Sequence, residues 1–284
     1  MQLGPFSLLP EQRRLRRPSH LTELSVAGPR FHKPGPGTRF VENFKRKGWK
    51  ALKFSPNRDP TPSRFALALS VSAALVLASP FVADLRDALR RAAGTSYGTV
   101  LNLLVLGAVG VAIAAAAVRI RNRRTERYAA IVAACAAGVA YVWANALPGI
   151  ERFHFVEYGI VTVLFYRAVR PYVARLTGGT TADPSILIAP ALAALIVATA
   201  DEWVQWLVPR RYGEVRDLAL NAAAIGCGLL FSLGWGPPPG WRLRPTPRSL
   251  ALMAALGAAA VVGLGAFLMT VHLGYVIADD ENGT

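Results

Sequence analysis

From Phe65 onward, the sequence consists of apolar blocks separated by short polar and basic segments. The seven blocks cover residues 65–83, 98–118, 128–147, 153–169, 186–207, 218–235 and 250–276. About 20 apolar residues in a helix span the hydrocarbon core of a bilayer, and in lipid only helices or closed barrels satisfy the backbone. We therefore predict an all-α fold, a polytopic integral membrane bundle of about seven transmembrane helices.

Residues 1–64 differ from the rest of the chain in composition. They contain fourteen Lys or Arg residues and four Asp or Glu residues, with Pro and Gly throughout. Such a segment does not bury enough apolar surface to fold alone, so we predict a basic, mostly disordered cytoplasmic tail. The bundle then covers residues 65–276, and residues 277–284 form a short acidic C-terminal tail.

The net charge of +15 would suggest nucleic-acid binding in a soluble protein, but here the basic residues lie at the ends of apolar blocks. If the tail is cytoplasmic, the segments on that side of the membrane contain 25 of the 32 Lys and Arg residues. This asymmetry follows the positive-inside rule. We therefore predict a multi-pass protein of the cell membrane, with its N-terminus inside and its C-terminus outside. Its expected partners are membrane lipids and not nucleic acid, and the sequence leaves the oligomeric state open.

Ionisable residues within the apolar blocks are few, and they are concentrated in three consecutive blocks. Such residues usually face the interior of a membrane bundle and often mark function. In the predicted topology, the start of the fourth block, the end of the fifth and the start of the sixth all lie at the outer face. Because short links make these helices neighbours, we expect one polar pocket. Its candidate residues are His154, Glu157, Tyr158, Asp201, Glu202, Gln205, Arg211, Asp217 and Asn221.

Helical spacing groups these candidates further. His154 and Glu157 share a helix face at i, i+3, and Asp201 and Gln205 share one at i, i+4. Glu157 is therefore a candidate for orienting the His154 imidazole. Two roles remain open for Asp201 and Glu202: they join helices through hydrogen bonds or ion pairs, or they bind a ligand or act in catalysis.

The fourth to sixth blocks resemble the VanZ-like family of small bacterial membrane proteins. The shared pattern is a His-Phe pair ahead of Tyr-Gly, then Asp-Glu, Gln and Pro-x-Arg, then Asp, Asn and Gly on the next helix. The matching positions are His154-Phe155, Tyr158-Gly159, Asp201-Glu202, Gln205, Pro209, Arg211, Asp217, Asn221 and Gly228. The resemblance covers about residues 128–235, and Arg210 stands where the family commonly has a glycine.

The resemblance implies a cell-envelope protein related to resistance against the glycopeptide antibiotic teicoplanin, without specifying a reaction. The first functional hypothesis is that the polar pocket binds a lipid or a lipid-linked envelope component at the outer membrane face. The alternative is an intramembrane hydrolase or transferase acting on a lipid-linked or phosphorylated substrate. In that case His154 and either Asp201 or Glu202 would serve as acid and base. A third reading, a secondary transporter, lacks the internal repeat typical of that class.

Two further observations limit the chemistry at this site. Arg211 either contacts lipid headgroups or recognises a phosphate or carboxylate through its guanidinium fork. No H-E-x-x-H or similar spacing is present, and Cys135 and Cys227 lie in apolar blocks without metal or disulfide spacing. We therefore expect no metal and no other cofactor.

Overall fold

The fold is described from a computed structural model for residues 61–177, 181–208, 215–238 and 240–282, without the side chains of residues 215 and 273–282. These residues form helices and no strand, as the all-α prediction requires. The helices are α1 (Thr61–Ala93), α2 (Tyr97–Arg119), α3 (Arg124–Ala144), α4 (Phe153–Leu176), α5 (Ser185–Leu207), α6 (Val215–Trp235) and α7 (Pro247–Asn282).

Each predicted apolar block lies on one of these helices, but several helix ends differ from the block ends. Helix α1 begins at Thr61, inside the predicted tail, and α4 continues past the apolar block to Leu176. Helix α7 continues to Asn282, so the predicted acidic tail is largely helical. The rest of the predicted N-terminal tail, residues 1–60, lies outside the described residues.

Five stretches in the described part of the chain are long and apolar enough to cross a membrane. They are Thr61–Arg119, Arg124–Ala144, Ser185–Leu207, Arg216–Trp235 and Pro247–His272. The first contains both α1 and α2, which are joined by a short 3-10 turn at Gly94–Ser96. Helix α4, which carries Glu157 and three arginines, is not among the five. The fold is therefore compatible with a membrane protein, whereas the predicted count of seven spans and the orientation are not confirmed.

Large apolar side chains lie exposed on the outside of the bundle. Leu106 and Val118 on α2 are 66% and 81% exposed, and Val261 and Val262 on α7 are 71% and 70% exposed. Soluble monomers rarely expose extended apolar patches. The acyl chains of a bilayer, in contrast, match such a surface.

Helix α4 lies at the centre of the described bundle, where it packs against α1, α5 and α6. One cluster of buried side chains joins these four helices: Ala68, Tyr158, Val161, Phe165, Ala194, Ala198, Ala224 and Ile225. Helix α3 packs against α6, and α7 packs against α5. Alanine supplies half of the cluster, and such small side chains let helix backbones approach closely.

The α4–α6 crossing is closer still, because glycines lie on both sides of it. A Cβ atom at Gly228 would lie 2.8 Å from the Thr162 Cβ and 3.0 Å from the Gly159 carbonyl oxygen. Gly226, on the same helix, has no such neighbour within 4 Å of its Cβ position. The contact at Gly228 fixes how α6 lies along α4, and it thereby positions the polar residues of both helices.

Just before α5, the buried carboxylate of Asp183 links the start of α5 to the start of α7. It accepts hydrogen bonds from the backbone N–H groups of Ser185, over 3.0 Å, and Thr246, over 3.2 Å. Burial raises the pKa of this carboxyl, but hydrogen bonds from Ser185, Ser249 and Thr246 lower it more, so the pKa lies below its usual value. The starts of α5 and α7 are therefore tied together by one charged side chain.

The glycine contact gives a test of the fold. We predict that Gly228→Ala lowers the free energy of unfolding by about 1–3 kcal/mol, the common cost of overpacking, because Thr162 and the Gly159 backbone must move. Gly226→Ala is the matched control, since it gains the same helix propensity without a clash. Titration of the purified protein with sodium dodecyl sulfate in mixed micelles measures both free energies. Equal values for the two variants would contradict the close crossing.

Candidate functional site

Polar side chains of α4, α5 and α6 meet at one end of the bundle. Helix α5 contributes two consecutive carboxylates, Asp201 and Glu202, which are only 4% and 0% exposed. A buried carboxylate is costly unless donors compensate for the lost hydration. The position of these two residues therefore requires hydrogen-bond donors from the neighbouring helices.

The donors to Asp201 come from α4 and from α5 itself. The Tyr158 hydroxyl on α4 donates to Oδ2 of Asp201 over 2.8 Å. The Gln205 side-chain amide, one turn further along α5, donates to the same oxygen over 2.9 Å. The other oxygen, Oδ1, is buried and has no hydrogen-bond partner among the described residues. One oxygen of Asp201 thus keeps its capacity to accept a hydrogen bond.

Glu202 is held from the other side, by α6. The Asn221 amide Nδ2 donates to Oε1 of Glu202 over 3.1 Å, and the Asn221 Oδ1 lies 2.7 Å from His154 Nδ1. Because the amide N–H group of Asn221 is directed to Glu202, its oxygen must accept, and His154 Nδ1 carries the proton. In the neutral ring, Nε2 of His154 then keeps the lone pair.

The two sets of hydrogen bonds lie side by side. The His154 ring stacks on the Tyr158 ring, one helical turn later, with ring centres 5.9 Å apart and an interplanar angle of 15°. We call this arrangement the α4–α6 network. Its members are His154, Tyr158, Asp201, Glu202, Gln205 and Asn221.

Helix geometry explains how two adjacent residues serve two different neighbours. Consecutive residues on an α-helix with 3.6 residues per turn point about 100° apart. Asp201 therefore reaches Tyr158 on α4, while Glu202 reaches Asn221 on α6. The pair of carboxylates links three helices that would otherwise meet mainly through apolar contacts.

The structure thus brings together six of the nine predicted pocket residues. Glu157 and Asp217 are half-buried near the same ends of α4 and α6, and Arg211 lies outside the described residues. The His154 imidazole contacts Asn221 on α6, and the orientation of this ring by Glu157 stays a prediction. The structure supports the helix-joining role of Asp201 and Glu202 directly, and a binding or catalytic role stays a prediction.

Two contacts near the network were not predicted from the sequence. Arg152 donates to the Leu147 carbonyl oxygen and to Asn102 Oδ1, the latter over 2.7 Å, and so connects the start of α4 to α2. Arg216 and Glu151 form an ion pair of 2.8 Å. Opposite charges at the starts of two blocks that share a membrane face would have indicated this pair. Because the Arg216 side chain is 56% exposed, the pair contributes little stability.

In the part of the chain that the structure describes, no group of three or more His, Cys, Asp or Glu side chains is arranged to hold a metal ion. No family model, curated protein or solved structure matches the chain. The relation to the VanZ-like family rests on the motif positions and stays a prediction.

The hydroxyl of Tyr158 provides the most direct test of the network. We predict that Tyr158→Phe lowers the free energy of unfolding by about 1–3 kcal/mol, because it removes a donor from a buried carboxylate. Tyr141→Phe removes a hydroxyl without a hydrogen bond among the described residues, and Tyr141 packs on Phe155 through its ring. This control should change the free energy by less than about 0.5 kcal/mol. A similar loss in both variants would contradict the hydrogen bond to Asp201.

Proposed function

We propose that the chain is a multi-pass protein of the bacterial cell membrane, VanZ-like, with its N-terminus inside and its C-terminus outside. The α4–α6 network then lies at the outer membrane face and binds a polar group of a lipid or of a lipid-linked envelope component. The five apolar stretches, the exposed side chains of α2 and α7, and the biased distribution of Lys and Arg support this proposal.

The observation that carries the proposal is the acceptor character of the network. Within it, Tyr158, Gln205 and Asn221 each donate a hydrogen bond to a carboxylate. Oδ1 of Asp201 and Nε2 of His154 have no hydrogen-bond partner among the described residues. A ligand that fits them brings hydrogen-bond donors, such as the hydroxyl groups of a sugar or the N–H groups of a peptide. His154, which is only half-buried, is the member of the network most accessible to such a ligand.

The resemblance to the VanZ-like family adds a cellular role to this chemistry. Sugars and peptides are the polar parts of lipid-linked cell-wall precursors, and the family is associated with teicoplanin resistance. A site that binds the polar end of such a precursor connects the chemistry of the network to teicoplanin resistance. The phenotype in which the site is tested is therefore tolerance of teicoplanin.

The test separates the two nitrogens of His154. In His154→Asn, the new amide Nδ2 takes the place of Nδ1–H and donates to Asn221, while nothing replaces Nε2. We predict that a bacterial host that expresses the chain tolerates more teicoplanin, and that His154→Asn abolishes this effect while the amount of inserted protein stays the same. The measurement is the minimum inhibitory concentration, together with an immunoblot of the membrane fraction.

His272→Asn is the matched control, because His272 is exposed on α7. It should retain the full phenotype. A wild-type phenotype of His154→Asn would contradict a ligand role for Nε2 and leave the network as a structural link between helices.

The orientation is tested separately. We predict that alkaline phosphatase fused after residue 212 is active, because the enzyme folds only outside the cytoplasm and the α5–α6 connection is placed at the outer face. A fusion after residue 122, in the basic α2–α3 connection, should be inactive. Green fluorescent protein at the same two positions gives the reciprocal readout. The opposite pattern would place the network at the cytoplasmic face.

A second candidate function is favoured by the order of the contacts from Glu202 to His154. Glu202 accepts from Asn221, and Asn221 accepts from His154 Nδ1, so Nε2 is the basic nitrogen of an oriented imidazole. This is the arrangement that a general base requires. In this alternative, the protein is an intramembrane hydrolase or transferase, with Asp201 or Glu202 as the acidic partner.

Incubation of the purified protein with a lipid-linked phosphate tests the alternative. We predict, for an enzyme, that product release falls by about 10²–10⁴-fold in His154→Asn, the usual contribution of a general base. His272→Asn again serves as the control. Binding of the lipid without turnover by the wild-type protein would contradict the enzyme and support the binding function.

A further inference from the structure

A second polar site lies at the other end of α4, and it does not depend on the proposed function. A pocket of about 120 Å³ opens between α1, α2, α4 and α6, and its lining includes Arg64, Arg119, Tyr166, Arg167, Arg170 and Trp235. Arg167 lies roughly 20 Å along α4 from His154, at 1.5 Å per residue. The pocket is therefore separate from the α4–α6 network.

Some of the polar groups around the pocket donate hydrogen bonds to carbonyl oxygens at the C-terminal end of α6. The last carbonyl groups of a helix lack intrahelical partners. The Tyr166 hydroxyl donates to the Gly236 oxygen over 2.8 Å, and Arg170 donates to the Pro237 oxygen over 3.1 Å. Arg127, beside the pocket, donates to the carbonyl oxygens of the last two residues of α6. These groups hold the chain after α6 in place.

Three guanidinium groups at the pocket take no part in these contacts with the end of α6. Within the described ranges, no hydrogen bond and no ion pair engages Arg64, Arg119 or Arg167. The Arg167 guanidinium lies over the Trp235 ring, 5.5 Å from its centre, which positions the group without neutralising its charge. None of the described lining residues is acidic. Three positive charges around one pocket repel each other, so an anion in the pocket would stabilise this end of the bundle.

We propose that this pocket binds a phosphate group. The planar fork of a guanidinium matches two oxygens of a phosphate, and several such forks from different helices surround the group. A single water needs roughly 10–15 Å³ of such space, so the pocket is large enough for a group of several non-hydrogen atoms. The phosphate belongs to a lipid headgroup or to a soluble phosphate compound, and the two sources share the same chemistry.

The experiment uses the purified full chain and two probes. In neutral detergent, the unfolding temperature is measured against the concentration of inorganic phosphate at constant ionic strength. In nanodiscs, the same quantity is compared between pure phosphatidylcholine and a mixture with phosphatidylglycerol. The site variant is Arg119→Gln with Arg167→Gln. The control is Arg121→Gln with Arg124→Gln, which removes the same charge from an exposed residue of the α2–α3 connection and from the exposed first residue of α3.

We expect saturable stabilisation of the wild-type protein, with an apparent affinity about tenfold weaker in the site variant and unchanged in the control. Stabilisation by inorganic phosphate indicates a soluble ligand, and stabilisation by phosphatidylglycerol alone indicates a lipid headgroup. If the site variant does not purify, Arg119→Lys with Arg167→Lys keeps the charge, loses the fork and should bind more weakly than the control. Equal effects of the site and control variants, or no stabilisation by either probe, would overturn the proposal.

Discussion

The described bundle depends on the burial of two adjacent carboxylates, Asp201 and Glu202, in helices that are otherwise apolar. Buried carboxylates are stable only with hydrogen-bond donors. Helices α4 and α6 must therefore each place a donor next to one of the two carboxylates. Tyr158 and Asn221 meet this requirement. The glycine at position 228 lets α6 approach α4 closely enough for both donors to reach the same end of α5. The apolar packing, the glycine crossing and the polar network are thus parts of one arrangement.

The arrangement divides the bundle into two chemically opposite ends. At one end, Asp201 and Glu202 accept hydrogen bonds from Tyr158, Gln205 and Asn221. At the other, Arg64, Arg119 and Arg167 present positive charge without acidic partners among the described lining residues. In the proposed orientation, the acidic end faces outward and the basic end faces the cytoplasm, as the distribution of Lys and Arg also predicts. Helix α4 connects the two ends, because it carries members of both sites.

The helices and most members of the α4–α6 network could be predicted from the sequence. The lengths of the apolar blocks predict the helices, and the order of the blocks along the chain predicts which helix ends meet. His154, Asp201 and Asn221 were expected together for that reason. The pairing within the network could not be predicted, because it depends on how each helix is rotated about its axis. Asp183 was not predicted as a link between α5 and α7 because Thr246, one of its donors, lies far along the chain. The arginine pocket was also missed, because the basic residues at the ends of the apolar blocks were used only to predict the orientation in the membrane.

Asn221 on α6 stabilises Glu202 on α5 specifically, and a double-mutant cycle measures this interaction most directly. The free energy of unfolding is determined for Glu202→Met, Asn221→Leu and the double variant. Each single change removes the hydrogen bond between the two side chains and leaves one of them as a buried polar group, whereas the double change replaces both by apolar side chains. We predict that the double variant loses less stability than the sum of the single changes, by about 0.5–3 kcal/mol. Additive losses would contradict it.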